Sequence, residues 1–595
     1  MQSVQSTPAQ DPELSQSNEA ISLLGEVPST GAQAVVAALV KANVELIFGY
    51  PGGAIMPIYD ALYVARNQIR HILVRHEQGA VHAAQGYART ALSPAVCMGT
   101  SGPGATNLLT GLADAMMDST PLLAITGQVP STVLGTDAFQ EADIIGMSLA
   151  VTKWSYQVTD PNKVEWAILE GLRIAQDGRP GPVLIDITKD AQMGGVEIDH
   201  RRQITELPGT SPRPTSDGTT PLDIDVAMDR AATLLNDAHT PLIFIGHGIL
   251  ISGAEQALLA LVENSGIPVA STLLGLSAIP TNHPLNVGML GMHGNYGPNM
   301  LTNCADVILA VGMRFDDRVT GRLDGYAPDA RIIHIDIDAA ELGKTVSTEI
   351  GIASDARPIL EALAKRVKKR NHSAWLARFR SYDDEEHAVV TAPAMARPDE
   401  EMSMVQVVSA LSSATHGDAI IVSDVGQHQM HAARHYDFRQ SNSHITSGGL
   451  GTMGFALPAA IGAASAGPDR PVIAIVGDGG FQMNIQELGT VMQEQVPVKI
   501  VILNNDYLGM VRQWQQLFFD ARYSQVNMQN PDFVAICGGY GVPARRVSHR
   551  SELASAITTM LETPGPYLLD VAVCKEENVF PMIPSGDCVD QIRLT

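Results

Sequence analysis

With 595 residues, 45% of them hydrophobic, the chain is too long for a single core, and its length suggests three or four domains. A formal charge of −24 argues against nucleic acid as a partner, because the chain offers no clustered Lys and Arg to release counterions from phosphates. Five scattered cysteines without a CxxC argue against a disulfide framework or zinc knuckle and fit a reducing cytoplasm, and no apolar run reaches the roughly 18 residues that span a membrane.

Residues 1–28, rich in Gln, Ser and Pro and free of Lys and Arg, read as a disordered tail without a targeting signal. A first domain, 29–200, alternates helix Ala32 to Ala42, strand Leu46 to Phe48, strand Ile69 to Val74, helix Gln78 to Ala91, strand Ala95 to Gly99, helix Asn107 to Asp118 and strand Pro121 to Thr126. Residues 201–222, with their Pro, Thr, Ser and Gly, read as a linker. A central domain, 223–381, carries strands Pro241 to Gly246, Val307 to Val311 and Ile332 to Ile337, but no GxGxxG. An acidic cluster at Asp383 to Glu386 with Pro393 and Pro398 marks 382–401 as a second linker. The third domain, 402–575, resumes with strand Ala419 to Ser423, helix His428 to His435, a glycine-rich helix entry, and strand Val472 to Val476, a helix around Asn484 to Gln493 and strand Val498 to Leu503. Residues 576–595 form a C-terminal arm. The expected fold is α/β: three doubly wound parallel-sheet domains.

Gly477-Asp478-Gly479-Gly480 ends one apolar strand of the third domain, and Asn504-Asn505 ends the next. A right-handed crossover brings both tips to one carboxyl edge, where an acid and an amide oxygen suit Mg²⁺ that keeps positions for water and two phosphates, and glycines let the backbone approach them. Taken alone, such residues at strand ends are usually structural, Asp478 a helix cap and the Asn pair a turn. The combined spacing resembles the thiamine diphosphate-binding motif. That makes Glu77, otherwise a solvated acid at a helix start, the carboxyl group that shares a proton with the aminopyrimidine ring. Gly448 to Gly454 introduces a helix near Ala456, either for close packing or for an anion, and Met453 within it is an ordinary core residue or, as the thiamine-enzyme resemblance implies, a wedge between the cofactor rings. His428, His431 and His435 share a helix face, which reads less readily as a metal cluster than as Gln427-His428 reaching a diphosphate.

From about Thr30 to Ile592 the sequence resembles the catalytic subunits of the acetohydroxyacid (acetolactate) synthase family. The resemblance rests on Phe48-Gly49-Tyr50-Pro51-Gly52-Gly53, His76-Glu77-Gln78-Gly79-Ala80, Ser101-Gly102-Pro103-Gly104, Asp137-Ala138-Phe139-Gln140-Glu141-Ala142, Gly291-Met292-His293-Gly294, Arg314-Phe315-Asp316-Asp317-Arg318-Val319 and Gly509-Met510-Val511-Arg512-Gln513-Trp514.

The resemblance implies a pyrimidine-binding, a central FAD-binding and a diphosphate-binding domain. Asp478, Asn505 and the Tyr507 carbonyl would hold Mg²⁺. Val425, Gly426, Gln427, His428, Gly451, Met453, Gly479, Gly480, Met483, Leu508, Gly509 and Met510 would line thiamine diphosphate. FAD would meet Arg179, Gly246, Gly248, Thr272, Leu273, Leu290, Gly291, His293, Gly312, Arg314, Asp316, Arg318, Val319, Asp336, Ile337 and Asp355, although His247 is larger than expected between its glycines. The implied reaction decarboxylates pyruvate to an enamine on the cofactor and condenses it with pyruvate or 2-oxobutyrate, giving acetolactate or acetohydroxybutyrate for branched-chain amino acids. Arg318 would clamp the acceptor carboxylate and Trp514 would face its alkyl group, while Gly53, Phe139, Gln140 and Lys189 complete the entrance and donor site. Also implied are a homodimer or homotetramer, with Glu77 serving a neighbour's cofactor, and a small regulatory subunit; residues 576–595, with Phe580-Pro581-Met582-Ile583-Pro584, read either as a lid over the site or as a loose terminus. A pyruvate oxidase-type oxidoreductase on the same three-domain plan is the competing reading.

Overall fold

The computed structural model of the protein describes residues 28–197 and 224–595. The expected tail, Pro28 apart, and the linker 201–222 lie outside the described residues. Three six-stranded sheets follow one another along the chain, with every strand pair parallel. The first contains β1 (Leu46–Gly49), β2 (Arg70–Leu73), β3 (Ala95–Gly99), β4 (Leu122–Gln128), β5 (Trp154–Val158) and β6 (Pro182–Thr188), in the order β2-β1-β3-β4-β6-β5. The central sheet contains β7 (Pro241–Ile245), β8 (Val269–Ser271), β9 (Asn286–Met289), β10 (Val307–Val311), β11 (Arg331–Asp336) and β12 (Ile350–Ala353), in the order β12-β11-β10-β7-β8-β9. The third contains β13 (Ile420–Ser423), β14 (His444–Thr446), β15 (Val472–Gly477), β16 (Val498–Asn504), β17 (Ala544–Val547) and β18 (Tyr567–Ala572), in the order β14-β13-β15-β16-β18-β17.

The expected α/β class is borne out. Every residue of β4, β6, β15 and β16 is buried, as befits parallel strands covered on both faces. Counted from their own first strands, the first and third sheets have the same order. The central sheet, read from β9, runs third, second, first, fourth, fifth, sixth. That is the order of dinucleotide-binding folds, in which ligands sit outside the carboxyl ends of the strands where the order reverses.

Two helices join the outer domains. Helix α1 (Glu77–Ala91) follows β2, and its counterpart Ala456–Ser465 follows β14. Between them along the chain, α2 (Leu109–Met117) follows β3, and its Asp114 side chain accepts from Ser447 and Thr452 of the third domain. We label Ala456–Ser465 α3 and Gly509–Phe518, which follows β16, α4.

Residues 382–401, expected as a linker, are helical as far as Met395: Ser373–Glu386 passes through a π turn, His387–Thr391, into Ala392–Met395. Of the acids there, Asp384 and Glu385 face solvent, whereas Glu386 is buried. The Glu386 carboxylate accepts from Tyr296 N (2.6 Å) and Asn295 Nδ2 (3.1 Å) and pairs with buried Arg434, and Pro393 sits in a first helical turn that has no use for its missing N–H. The helix expected over Asn484 to Gln493 is likewise broken, into Asp478–Met483, a 3₁₀ turn Ile485–Glu487 and Leu488–Glu494. Tertiary partners occupy the break: Asn484 Nδ2 donates to Gly454 O (2.6 Å), and Glu487 accepts from Arg75 N (3.0 and 3.2 Å).

The C-terminal arm packs back on the molecule. Buried Arg512 donates to Glu577 O (2.6 Å) and Asn578 Oδ1 (2.7 Å), Gln513 exchanges hydrogen bonds with the Val579 backbone, and Ile583 N donates to Met292 O (2.8 Å). Among the described residues no helix is long and apolar enough to cross a membrane.

Candidate active site

At the carboxyl edge of the third sheet, the ends of β13, β15 and β16 surround a small cavity lined by Val425 to His428, Met453, Asp478 to Gly480, Asn505 and Tyr507 to Met510. This is the reversal point of the strand order, between β13 and β15. Asp478 opens the helix after β15 and is buried, and burial pushes its carboxyl up to about 6. A bound cation would favour its ionised form. Asn530 Nδ2 lies 2.6 Å from Asp478 Oδ2, 3.0 Å from Asn504 Oδ1 and 3.0 Å from Asp506 Oδ1, and so ties the two strand tips together. Asn505 Oδ1 accepts from Tyr507 N (3.2 Å), which turns the chain so that Tyr507 lines the same cavity.

The glycines here form a cradle that side chains would fill. A Cβ on Gly479 would meet Leu508 at 2.6 Å, on Gly480 the Asp424 carboxylate at 3.0 Å, and on Gly509 Gln427 Oε1 at 2.2 Å. His428 is wedged by Gly426 and Gly477, whose added Cβ atoms would sit 2.7 and 2.8 Å from its Cε1. Burial holds its pKa down to about 3, and its Nε2 has no hydrogen-bond partner among the described residues. A buried, unpaired ring nitrogen at the wall of a glycine cradle is open to a polar partner, and a bound diphosphate would favour the protonated ring, whose Nε2 then donates. The Met453 loop is tied on both sides: the Asp424 carboxylate accepts from Gly454 N (3.0 and 3.1 Å), and Thr452 Oγ1 donates to Asp114 Oδ1 (3.1 Å) on α2. Met483 does not join the cavity; it ends its helix and is 55% exposed. Gly451 lines the neighbouring cavity instead.

That neighbouring cavity, of about 880 Å³, lies over the reversal point of the central sheet. All the residues expected to meet FAD line it except Gly246, which sits behind them: a Cβ there would lie 2.3 Å from Gly312 O. The site thus carries close glycine packing of the two central loops without a GxGxxG, and Gly312 has φ +55°, where a glycine is favoured. Asp316 caps the short helix Asp317–Thr320, accepting from Arg318 N (3.0 Å) and Val319 N (3.2 Å). Burial pushes the Asp336 carboxyl up to about 6 and holds His293 down to about 4. Arg318, Trp514, Met510 and Val425 line this cavity too, so it opens onto the thiamine-type site, where Met510 and Val425 are shared.

At the carboxyl edge of the first sheet, Glu77 begins α1, with His76 Nδ1 accepting from Gln78 N (3.1 Å) as the cap. Glu77 is buried, and its Oε2 accepts from Asn107 Nδ2 (3.0 Å). Gly53 follows β1, Phe139 and Gln140 follow β4, and Lys189 follows β6, so all share this edge; Phe139 is 88% exposed and Gln140 has φ +59°. None of these five lines either cavity of the same chain. Sequence reasoning did not find Asn530, Asp424 or Asn107. Asp424 carried a signal, as the acid directly after β13; Asn107 and Asn530 carried none, because only tertiary packing brings them to their partners.

Residues 29–147 match the thiamine pyrophosphate enzyme N-terminal TPP binding domain, 228–363 its central domain and 424–571 its C-terminal TPP binding domain. The chain is 44% identical to the acetolactate synthase large subunit of Corynebacterium glutamicum, over 95% of this chain and 90% of that protein. It is 43% identical to the acetolactate synthase isozyme 2 large subunit of Escherichia coli, over 93% and 98% respectively. A chloroplastic acetolactate synthase 1 of Nicotiana tabacum is 44% identical, over 94% and 84%. The chain belongs to the acetolactate synthase large-subunit family of thiamine pyrophosphate enzymes.

Proposed function

We propose that the protein is an acetolactate synthase: it joins two pyruvate molecules, or pyruvate and 2-oxobutyrate, with loss of one CO₂, in branched-chain amino acid biosynthesis. The cofactors of this reading are thiamine diphosphate with Mg²⁺ at the third-sheet edge and FAD in the central cavity. When bound, thiamine diphosphate supplies a carbanion centre and an electron sink for decarboxylation. Asp478, Asn505 and the Tyr507 carbonyl would hold the metal, and the Gly479, Gly480 and Gly509 backbone with a protonated His428 would hold the diphosphate. Glu77, its Oε2 held by Asn107, exchanges a proton through Oε1. Arg318 takes the acceptor carboxylate and Trp514 its alkyl group.

The observation that carries this reading is that the two cavities share Met510 and Val425 in their walls, and that Arg318 and Trp514 line the central one. The condensation is redox-neutral, so the flavin need not change oxidation state. Placement of Glu77, Gly53, Phe139, Gln140 and Lys189 on an edge apart from both cavities supports a homodimer as the smallest active unit, with a tetramer and a small regulatory subunit as further assembly in the cytoplasm. The domains of this reading are 29–200, 223–381 and 402–575, and the arm 576–595 closes the site as a lid. Incubation with pyruvate, thiamine diphosphate, Mg²⁺ and FAD should yield one acetolactate and one CO₂ per two pyruvate consumed. Oxygen uptake matching pyruvate turnover, or acetaldehyde as the only product, would overturn it in favour of an oxidase or a decarboxylase.

A further inference from the structure

His247 stands where a small residue was expected, between Gly246 and Gly248 after β7, and its ring borders the central cavity. Its Nδ1 lies 2.9 Å from the backbone oxygen of Asp118, at the end of α2 in the first domain. A carbonyl can only accept, so Nδ1 carries the proton. Burial, with Arg89 nearby, holds the ring down to about 4, so it is neutral near pH 7 and Nε2 is left as an acceptor.

Asp118 is buried and does three things at once. Its carboxylate accepts from Gly448 N (2.9 Å) and Gly449 N (2.7 Å), the start of the loop that ends in Met453, and it pairs with Arg89 (2.9 Å). Arg89 in turn donates to Thr446 O (2.7 Å), at the end of β14. One residue of the first domain therefore joins the central cavity, through His247, to the thiamine-side loop of the third. The glycines of that loop admit the contact: a Cβ on Gly449 would lie 2.9 Å from Asp118 Oδ1.

We propose that His247 is a positioning residue that couples the two cofactor sites: a flavin dinucleotide in the central cavity fixes the imidazole, and the His247–Asp118 hydrogen bond fixes the Gly448–Met453 loop in its thiamine-binding geometry. The inference rests on the reading that the two cavities take FAD and thiamine diphosphate, and adds a linkage between them. Coupling free energies are reciprocal, so FAD must tighten thiamine diphosphate by the same factor as thiamine diphosphate tightens FAD.

The test is calorimetric titration of thiamine diphosphate with Mg²⁺ into the full-length protein, flavin-free and FAD-saturated. In the unaltered protein FAD should tighten the cofactor by roughly tenfold, within the usual range of such couplings. His247→Ala should reduce that factor to within about twofold of unity, and so should His247→Asn, whose amide keeps a donor near the Nδ1 position but offers the flavin no ring to fix. His247→Phe keeps the ring volume without the donor, and serves in place of the alanine variant if that one does not fold. Coupling undiminished in the donor-free variants, or absent from the unaltered protein while both cofactors bind, would overturn the inference alone. Failure of either cofactor to bind the unaltered protein would overturn the functional reading and the inference with it.

Discussion

Gly86 on α1 and Gly462 on α3 mark a reciprocal backbone contact between the outer domains. A Cβ on Gly86 would lie 1.8 Å from the Ala459 carbonyl oxygen, and one on Gly462 would lie 1.7 Å from that of Ala83. The two helices stand at equivalent places in two sheets of the same strand order, so the domains meet through like surfaces. No rotamer relieves a clash with backbone. Gly86→Ala and Gly462→Ala should each cost more than about 3 kcal/mol and lower the melting temperature sharply. Gly538→Ala, in a helix with open space around it, should stabilise by up to roughly 1 kcal/mol. Equal, small effects at all three positions would mean that the helices do not touch at their glycines.

The contact from Glu487 to the Arg75 backbone brings a third-domain acid to the turn before Glu77 and gives the fold a pH signature. Burial pushes its carboxyl up from 4.5 to about 7, so the folded protein keeps a proton that the unfolded chain gives up near 4.5. Folding stability then falls as pH rises through that window, by at most about 1.4 kcal/mol per pH unit, and levels off above it. Glu487→Gln removes this component. Its denaturation midpoint should gain on the parent's between pH 4.5 and 7, and parallel curves would contradict the assignment.

Trp514 and Arg318 line one cavity, and the acceptor's extra methylene falls to the tryptophan in this account. Trp514→Leu should lower the ratio of acetohydroxybutyrate to acetolactate by roughly tenfold or more when pyruvate and 2-oxobutyrate compete, a methylene in an apolar pocket being worth about 1–3 kcal/mol. Arg318→Met should weaken both acceptors alike. An unchanged product ratio in the tryptophan variant would remove it from acceptor choice.

Arg512 is buried, and its guanidinium is satisfied largely by the C-terminal arm at Glu577 and Asn578. Arg512→Leu should release the arm at a cost on the order of 2–3 kcal/mol. Limited proteolysis reads this directly: cleavage should appear between Glu577 and Ile583, with the three domains intact. An arm as resistant as the parent's would show that Gln513 and the Ile583–Met292 bond suffice to hold it.

Much of this architecture was legible in the sequence because the strands are local statements. Val307–Val311 and Ala95–Gly99 are apolar runs bounded by polar and turn residues, and they form strands with the bounds expected of them. The Asp478 and Asn505 tips were legible for a related reason, since each directly follows such a strand. What could not be read depends on distant partners. Asp383 to Glu386 read as part of a linker, but Tyr296, Asn295 and Arg434 meet Glu386 and the segment is helical. Met483 lies five residues beyond Asp478, yet its helix ends there and turns the side chain outward. His247 stood out as an oddity, but its partner Asp118 is 129 residues away. The central sheet shows a dinucleotide-binding strand order that no short motif announced.

The central claim is that one active site takes Glu77 from one protomer and Asp478 from another. Glu77→Gln and Asp478→Asn each remove one half, and each variant alone should lose at least about a hundredfold in acetolactate formation. The most direct measurement is the activity of the two variants mixed, dissociated and reassembled. With half the dimers mixed and one complete site in each, activity should return to about a quarter of the unaltered level. A mixture as inactive as its components, although mixed dimers have formed, would contradict the divided site.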